Sequence, residues 1–169
     1  GSYKDVPDVN DGAMMVVKHL LSYGYLWNEV RVKGGAYGVM CRFSRAGSGS
    51  FVSYRDPNLS ATYDVYKKAA DFLENYDADE REVTKTIIGT ISGLDTPLTP
   101  SMDGKRSMSM YLTKTPLEVI QKERNQVLAC TKDDIRNTAD AVRKIANTEN
   151  ICVIGNEKRI KDEASLFES

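Results

Sequence analysis

The chain has 169 residues, of which 41% are hydrophobic, and this is enough for one domain with a sizeable core. Its 23 basic and 24 acidic side chains leave a net charge of −1, so it lacks the overall basic field that attracts nucleic acid or an anionic membrane surface. No apolar run approaches the roughly 20 residues of a membrane helix. We therefore predict neither a nucleic-acid partner nor a membrane partner.

The first strong pattern is that of an amphipathic helix. Asn10 or Asp11 can cap it, and its apolar positions then recur at spacings of 4, 3, 4 and 3 residues, as an α-helix requires. These positions are Val16, Leu20, Tyr23, Trp27 and Val30. The pattern predicts a helix that reaches about Arg31 and carries one apolar stripe.

A β-hairpin is predicted after this helix. Residues 36–45 alternate between apolar and polar side chains, and residues 50–55 return as a second strand after the four-residue turn 46–49. Gly47, Ser48 and Gly49 could also belong to a phosphate-binding loop, but neither a Gly-Lys-Ser/Thr sequence nor a helix follows them. The turn is the favoured interpretation.

The middle of the chain is mostly helical by its pattern. Residues 96–105 are the longest irregular stretch, and we predict a mobile loop there. Helical spacing or a helix start signal is found at residues 59–73, residues 83–94, Pro100, Pro116 and Thr131.

A third strand is predicted near the end, where residues 150–155 form a short apolar run ahead of a charged tail. Three strands and about six helices predict an α+β fold, with helices packed on one face of an antiparallel sheet. Because most sheets have about four to six strands, we interpret the chain as a domain truncated at its first strands. Residues 1–2 are interpreted as an expression scar and residues 3–169 as the domain. An unpaired sheet edge recruits other chains, so self-association is predicted.

Few residues could support catalysis without help from another chain. His19 is the only histidine, whereas a catalytic zinc takes about three protein ligands, so no metal site is predicted in this chain. The sequence also shows no pattern of a Ser-His-Asp triad or a Cys-His pair, because His19 would have to act as the base for every nucleophile. Cys41, Cys130 and Cys152 lack a C-x-x-C motif and are predicted to be free buried thiols in a reducing compartment. A hydrolase that acts alone is not predicted.

Residues 28–41, where the first helix ends and the first strand begins, carry the most chemistry. Arg31 in the last helical turn and Tyr37 in the strand flank Gly34 and Gly35, which permit positive φ and close approach by another chain. So small a turn can bring both side chains to one place. Spacing alone leaves an alternative open, in which Arg31 only complements the helix dipole and Tyr37 is simply half-buried.

This stretch resembles a known enzyme family. Residues 21–38 read Leu-Ser-Tyr-Gly-Tyr-Leu-Trp-Asn-Glu-Val-Arg-Val-Lys-Gly-Gly-Ala-Tyr-Gly. They are similar to the C-terminal half of pitrilysin/insulinase-type zinc metallopeptidases of the presequence protease branch. In that family an Arg and a Tyr in an R-x-x-G-G-A-Y setting complete an active site whose zinc ligands lie in the N-terminal half. They correspond to Arg31 and Tyr37. The family's H-x-x-E-H motif is absent from this chain.

The resemblance implies that the chain is the C-terminal part of a zinc oligopeptidase that degrades short unstructured peptides. Arg31 and Tyr37 would be catalytic and stabilise the oxyanion, and Gly34, Gly35 and Ala36 would contact the substrate. The missing N-terminal half would bind the zinc, and that half and the peptide would be the partners. The implied location is a bacterial cytoplasm or an organelle matrix. The alternative is a non-catalytic binding or scaffold module of the same fold, as in relatives that lost the zinc site.

Overall fold

Helices make up most of the computed structural model, which describes residues 1–167. The helices are α1 (Asp11–Leu20), α2 (Ser60–Glu74), α3 (Glu80–Leu94), α4 (Pro100–Thr113), α5 (Leu117–Leu128), α6 (Lys132–Arg136), α7 (Ala139–Ala146) and α8 (Glu157–Asp162). Two π-helical segments, Leu21–Tyr25 and Trp27–Lys33, connect α1 to the strands β1 (Gly38–Phe43) and β2 (Gly49–Tyr54). A 3₁₀ turn, Ala164–Leu166, follows α8. Residues 1–167 contain no helix with the length and apolar character needed to cross a membrane.

β1 and β2 form the predicted hairpin. They pair antiparallel, with Gly38 opposite Tyr54. Side chains alternate along β1, so that Val39 and Cys41 are buried while Met40 is exposed. The helical segments before β1 pack on one strand and α7 packs on the other. The predicted α+β class, with helices on one face of an antiparallel sheet, is confirmed.

The third strand predicted at residues 150–155 is wrong. These residues belong to no strand, and the sheet within the described chain has two strands. Their side chains nevertheless alternate, because Ile151 and Val153 are half-buried while Cys152 and Ile154 are exposed. The sequence pattern of a strand is therefore present without a ladder of hydrogen bonds to β2.

The loop predicted at residues 96–105 is shorter than expected. α4 begins at Pro100, where proline suits the first helical position because its nitrogen needs no partner. Thr99 caps the helix, since its hydroxyl accepts a hydrogen bond from the Met102 N–H at 3.3 Å. The second half of the predicted loop is therefore helical.

An ion pair joins the hairpin turn to α5. The Glu123 side chain is almost fully buried, and its carboxylate accepts two hydrogen bonds from the Arg45 guanidinium, one of them at 2.7 Å. Hydrogen bonding to this carboxylate raises the pKa of Arg45. The turn is thus held against the helix layer by a paired charge.

The chain between α1 and β1 is wound more loosely than an α-helix. The Leu26 N–H donates to the Leu21 carbonyl and the Gly34 N–H to the Glu29 carbonyl, in each case five residues back rather than four. Each such turn holds more residues than an α-helical turn. Positions that α-helical spacing aligns on one face therefore drift apart along this segment.

The looser winding changes which side chains reach the core. Leu21, Leu26 and Val30 are fully buried, whereas Tyr23 is 69% exposed and Trp27 is 38% exposed. The apolar stripe predicted from α-helical spacing is therefore wrong at Tyr23 and Trp27. Leu26, which is next to Trp27, is buried in its place.

We expect Leu26→Ala to lower the free energy of unfolding by about 2 to 5 kcal/mol, because it leaves a cavity at a fully buried position. Tyr23→Ala is the matched control. It should cost roughly 1 kcal/mol or less, because Tyr23 is largely exposed. Urea denaturation of the two variants measures the difference. Equal losses would contradict the π-helical winding.

Candidate functional site

The turn between the second π-helical segment and β1 is closed by backbone hydrogen bonds. The N–H groups of Gly34, Gly35 and Ala36 donate to carbonyl oxygens of the last helical turn at 3.0 to 3.1 Å. Gly35 has a φ of 80°, a conformation that favours glycine. A Cβ on Gly34 would lie 2.5 Å from the Val30 carbonyl oxygen. The turn itself therefore requires both glycines, whatever else they do.

A second loop, which contains Asp56 and Asn58, braces this turn through a contact that the sequence did not predict. The Asn58 side-chain amide donates a hydrogen bond of 2.6 Å to the Gly34 carbonyl. Asp56 holds the loop in place by accepting hydrogen bonds from the Asn58 N–H at 3.0 Å and from the Thr62 hydroxyl at 2.8 Å. Asp-Pro-Asn is a typical turn sequence, so the loop itself had a signal. The contact of this loop with Gly34, which is 24 residues away from Asn58, had no signal in the sequence.

Arg31 is stacked on Trp27. Its guanidinium carbon lies 3.8 Å from the centre of the indole ring, which is the arrangement of a cation–π contact. The π-helical winding makes this possible, because it leaves Trp27 partly exposed. Among the described residues the Arg31 guanidinium has neither an acidic partner nor a hydrogen-bond acceptor. Its N–H donors are therefore free for a group supplied from outside this chain.

Tyr37 lies immediately before β1 rather than within the strand, where the sequence predicted it, and it is 65% exposed. Its ring contacts the edge of the Tyr54 ring at 5.9 Å between centres, and the Arg55 guanidinium lies 5.8 Å from its centre. Its hydroxyl makes no hydrogen bond to any of residues 1–167. The half-buried position that the alternative expected for Tyr37 is therefore wrong.

The structure places Arg31 and Tyr37 at the two ends of one glycine turn, but it does not bring them into contact. Arg31 contacts Trp27, whereas Tyr37 contacts Tyr54 and Arg55. Both side chains lie on the surface, outside the larger clefts of the described chain. Two free hydrogen-bond donors thus flank a turn whose Gly35 is exposed and whose Ala36 is buried.

The zinc implied by the sequence resemblance does not fit the residues of this chain. Within residues 1–167 no three His, Cys, Asp or Glu side chains lie close enough together to hold a metal ion. The imidazole of His19 instead packs beside Gly89 and against the Tyr23 ring, at 4.8 Å between ring centres. Burial lowers the pKa of His19. This histidine is part of the packing between α1 and α3.

All three cysteines are free thiols, as predicted. Burial raises the pKa of Cys41 to about 11 and that of Cys130 to about 12, so both stay protonated at neutral pH. Cys152 is exposed, so the prediction that it is buried is wrong. The two buried thiols are therefore poor nucleophiles and serve as small core residues.

Comparison with known proteins decides the family. The family model described as PreP C-terminal domain matches residues 1–157. The chain belongs to this family. The resemblance predicted from residues 21–38 is thereby confirmed, and the PreP C-terminal domain is a C-terminal part of a presequence protease-type peptidase.

Individual relatives agree with this assignment. Protein HypA of Clostridium perfringens (strain 13 / Type A) is 41% identical over 167 residues, covering 99% of this chain and 17% of the relative. Presequence protease 1, chloroplastic/mitochondrial, of Arabidopsis thaliana is 37% identical over 158 residues, 88% of this chain and 15% of the relative. The mitochondrial presequence protease of Emericella nidulans is 31% identical over 150 residues, 88% of this chain and 14% of the relative. The chain thus spans about one-sixth of the length of these curated relatives and is a peptidase-related module.

We expect Gly34→Ala to destabilise this PreP C-terminal domain by about 1 to 3 kcal/mol, because the added Cβ would overlap the Val30 carbonyl. Gly38→Ala is the matched control, since a Cβ there meets no atom within 4 Å of it. That variant should be neutral, or stabilising by roughly 0.5 kcal/mol. Thermal and urea denaturation measure both effects. Equal stability of the two variants would show that the turn tolerates a side chain at Gly34.

Proposed function

We propose that this domain completes the active site of a zinc oligopeptidase, in which the N-terminal half of the same longer polypeptide holds the metal. The observation that carries the proposal is the pair of free donors, Arg31 and Tyr37, at the two ends of an exposed glycine turn. A chain that spans 17% or less of its relatives leaves most of that polypeptide to supply the facing wall. The proposed substrates are short unstructured peptides.

The chemistry of the two donors suits peptide hydrolysis. Negative charge develops on the carbonyl oxygen of the scissile peptide, and donors already aimed at that oxygen stabilise the transition state more than the ground state. Tyr37 supplies a neutral O–H, and Arg31 supplies a permanent charge with several N–H groups in a planar fork. Water exclusion by the facing half would strengthen both interactions.

The contacts of each donor favour pre-organisation. Stacking on Trp27 restricts the Arg31 guanidinium to one plane while leaving its edge free to donate. Tyr54 and Arg55 restrict the Tyr37 ring in the same way. They orient the hydroxyl without forming a hydrogen bond to it. Donors that are ordered before the substrate arrives need less reorganisation during the reaction.

The substrate contact is proposed at Gly34, Gly35 and Ala36, and these three residues would have different roles. Gly35 is exposed and has no Cβ, so a peptide backbone could approach it closely. The Gly34 carbonyl is already used by Asn58, and the Ala36 side chain is buried. Those two residues would act mainly by holding Gly35 and the following Tyr37 in position.

A second candidate function is a non-catalytic binding or scaffold module. It is favoured by the position of Arg31 and Tyr37 on open surface, outside the larger clefts of the described chain. The two functions differ in the rest of the polypeptide. An H-x-x-E-H motif in the upstream part supports the peptidase, and a parent sequence without it supports the scaffold.

Separated from its parent, the chain should hold no stoichiometric zinc at neutral pH and should cleave no peptide. The reason is that no ligand cluster is available in residues 1–167 and the facing wall is missing. Metal analysis after dialysis measures the zinc content, and a fluorogenic peptide assay measures cleavage. One tightly held zinc per chain would contradict the division of the site between two halves.

In the full-length protein, Tyr37→Phe should lower kcat roughly a hundred- to a thousandfold, the typical loss for one oxyanion donor. KM should change only a few-fold, because the ring and its contacts with Tyr54 and Arg55 remain. Tyr54→Phe is the matched control, because it removes the neighbouring phenol without touching the proposed donor. Steady-state kinetics with the zinc content verified measures both variants.

Arg31→Lys extends the same test. Lysine keeps the charge but lacks the planar fork and stacks less well on Trp27, so activity should also fall. Near-normal kcat for Tyr37→Phe would assign the phenol a structural role, and the peptidase proposal would then lose the residue on which it mainly rests.

A further inference from the structure

A cleft of about 700 Å³ separates β2 from residues 148–156. β2 forms one wall with Phe51 and Ser53, and the apolar residues Ile151 and Val153 form the opposite wall. Tyr63 of α2 also lines the cleft, and its hydroxyl is buried without a hydrogen-bond partner among residues 1–167.

The backbone of β2 is unpaired along this cleft. In an antiparallel pair, successive residues direct their N–H and C=O groups alternately toward the partner strand and away from it. Gly49 bonds outward, away from β1, and the same alternation directs Phe51 and Ser53 outward as well. The backbone hydrogen bonds of residues 1–167 include none from Phe51 or Ser53 to residues 148–156. These groups form an open strand edge.

The start of the chain already pairs with this edge. The Gly1 amine donates to the Gly49 carbonyl at 2.8 Å, and the Gly49 N–H donates to the Gly1 carbonyl at 2.9 Å. Ser2 bridges Ser48 in the antiparallel sense, and Gly1 lies at the rim of the cleft. These contacts are made by the backbone. A Cβ at residue 1 would lie 2.8 Å from the Ile145 carbonyl oxygen, so a larger residue there would require a local shift of the chain.

Polypeptide that preceded Gly1 in the same extended direction would run along β2 into the cleft. In an antiparallel pair, residue numbers fall along one strand as they rise along the other. The residues two and four places before Gly1 would therefore face Phe51 and Ser53. The curated relatives are about six times longer than this chain, so polypeptide is available to fill this place.

We propose that, in the parent polypeptide, an extended segment that takes the place of residues 1 and 2 and continues upstream of them inserts as a strand between β2 and residues 150–155. One edge of the inserted strand takes up the free N–H and C=O groups of Phe51 and Ser53. Its other edge gives residues 150–155 the neighbour that their alternating pattern requires. The result is a four-stranded sheet, and the mismatch between the strand pattern and the structure at residues 150–155 is thereby explained.

Native-state hydrogen exchange tests the proposal. The chain is compared with a form that carries about eight upstream residues of its parent, enough for one typical strand. The Phe51 and Ser53 amides should exchange roughly tenfold more slowly, or slower still, in the longer form, because they gain backbone acceptors. The Val52 amide, which faces β1, is the internal control and should be protected equally in both forms.

A matched variant carries the same extension with proline at the residues two and four places before Gly1. At these two positions the proline ring would replace the N–H that points at β2 and would crowd the Phe51 and Ser53 carbonyls, so the strand should not pair. Fast exchange at Phe51 and Ser53 should then return while Val52 stays protected. Unchanged exchange at Phe51 and Ser53 in the extended form would overturn the proposal. Protection that rises with protein concentration and is the same with and without the extension would also overturn it. The edge would then pair with a second copy of the chain, which is the self-association predicted from the sequence.

Discussion

The winding of the chain between α1 and β1 determines both the core and the candidate site. Hydrogen bonds that span five residues bury Leu26 and leave Trp27 on the surface, where it supports Arg31. The same segment ends in a turn that admits no Cβ at Gly34 and then delivers Tyr37 to the hairpin. An α-helical winding would rotate Trp27 toward the core and remove the surface on which the guanidinium rests. Packing and function therefore share one backbone constraint at this point.

The sequence predicted the elements whose causes are local. The hairpin follows from alternation, and the helix after Thr131 follows from a capping box with Asp134 that the structure contains. The π-helical winding had no local signal, because Leu26 and Trp27 are adjacent and both apolar. Either of them could serve as a core position, and only the packing of the whole domain selects Leu26. Apolar periodicity thus predicted that a helix is present and that Val16 and Val30 are buried, but it wrongly placed Tyr23 and Trp27 on the buried face.

The site was predictable in part for the same reason. Arg31 and Tyr37 lie six residues apart in a recognisable motif, whereas Asn58 reaches the turn from a loop that is distant in sequence. A hydrogen bond between distant residues leaves no trace in spacing. The strand predicted at residues 150–155 shows the opposite case, in which the local pattern is present but its consequence depends on a neighbour. Alternation of side chains indicates that one face of the segment is more buried than the other. A strand also needs hydrogen bonds to another strand.

The open edge of β2 and the exposed donors are connected through the hairpin. Ser53 on the free edge is followed directly by Tyr54 and Arg55, whose side chains contact the Tyr37 ring. A strand paired with Ser53 would restrain the backbone that carries these two contacts. Order at Tyr37 would then increase without any new contact to Tyr37 itself. The parent polypeptide would therefore support the donor from two directions, by facing its hydroxyl across the active site and by completing the sheet behind its neighbours.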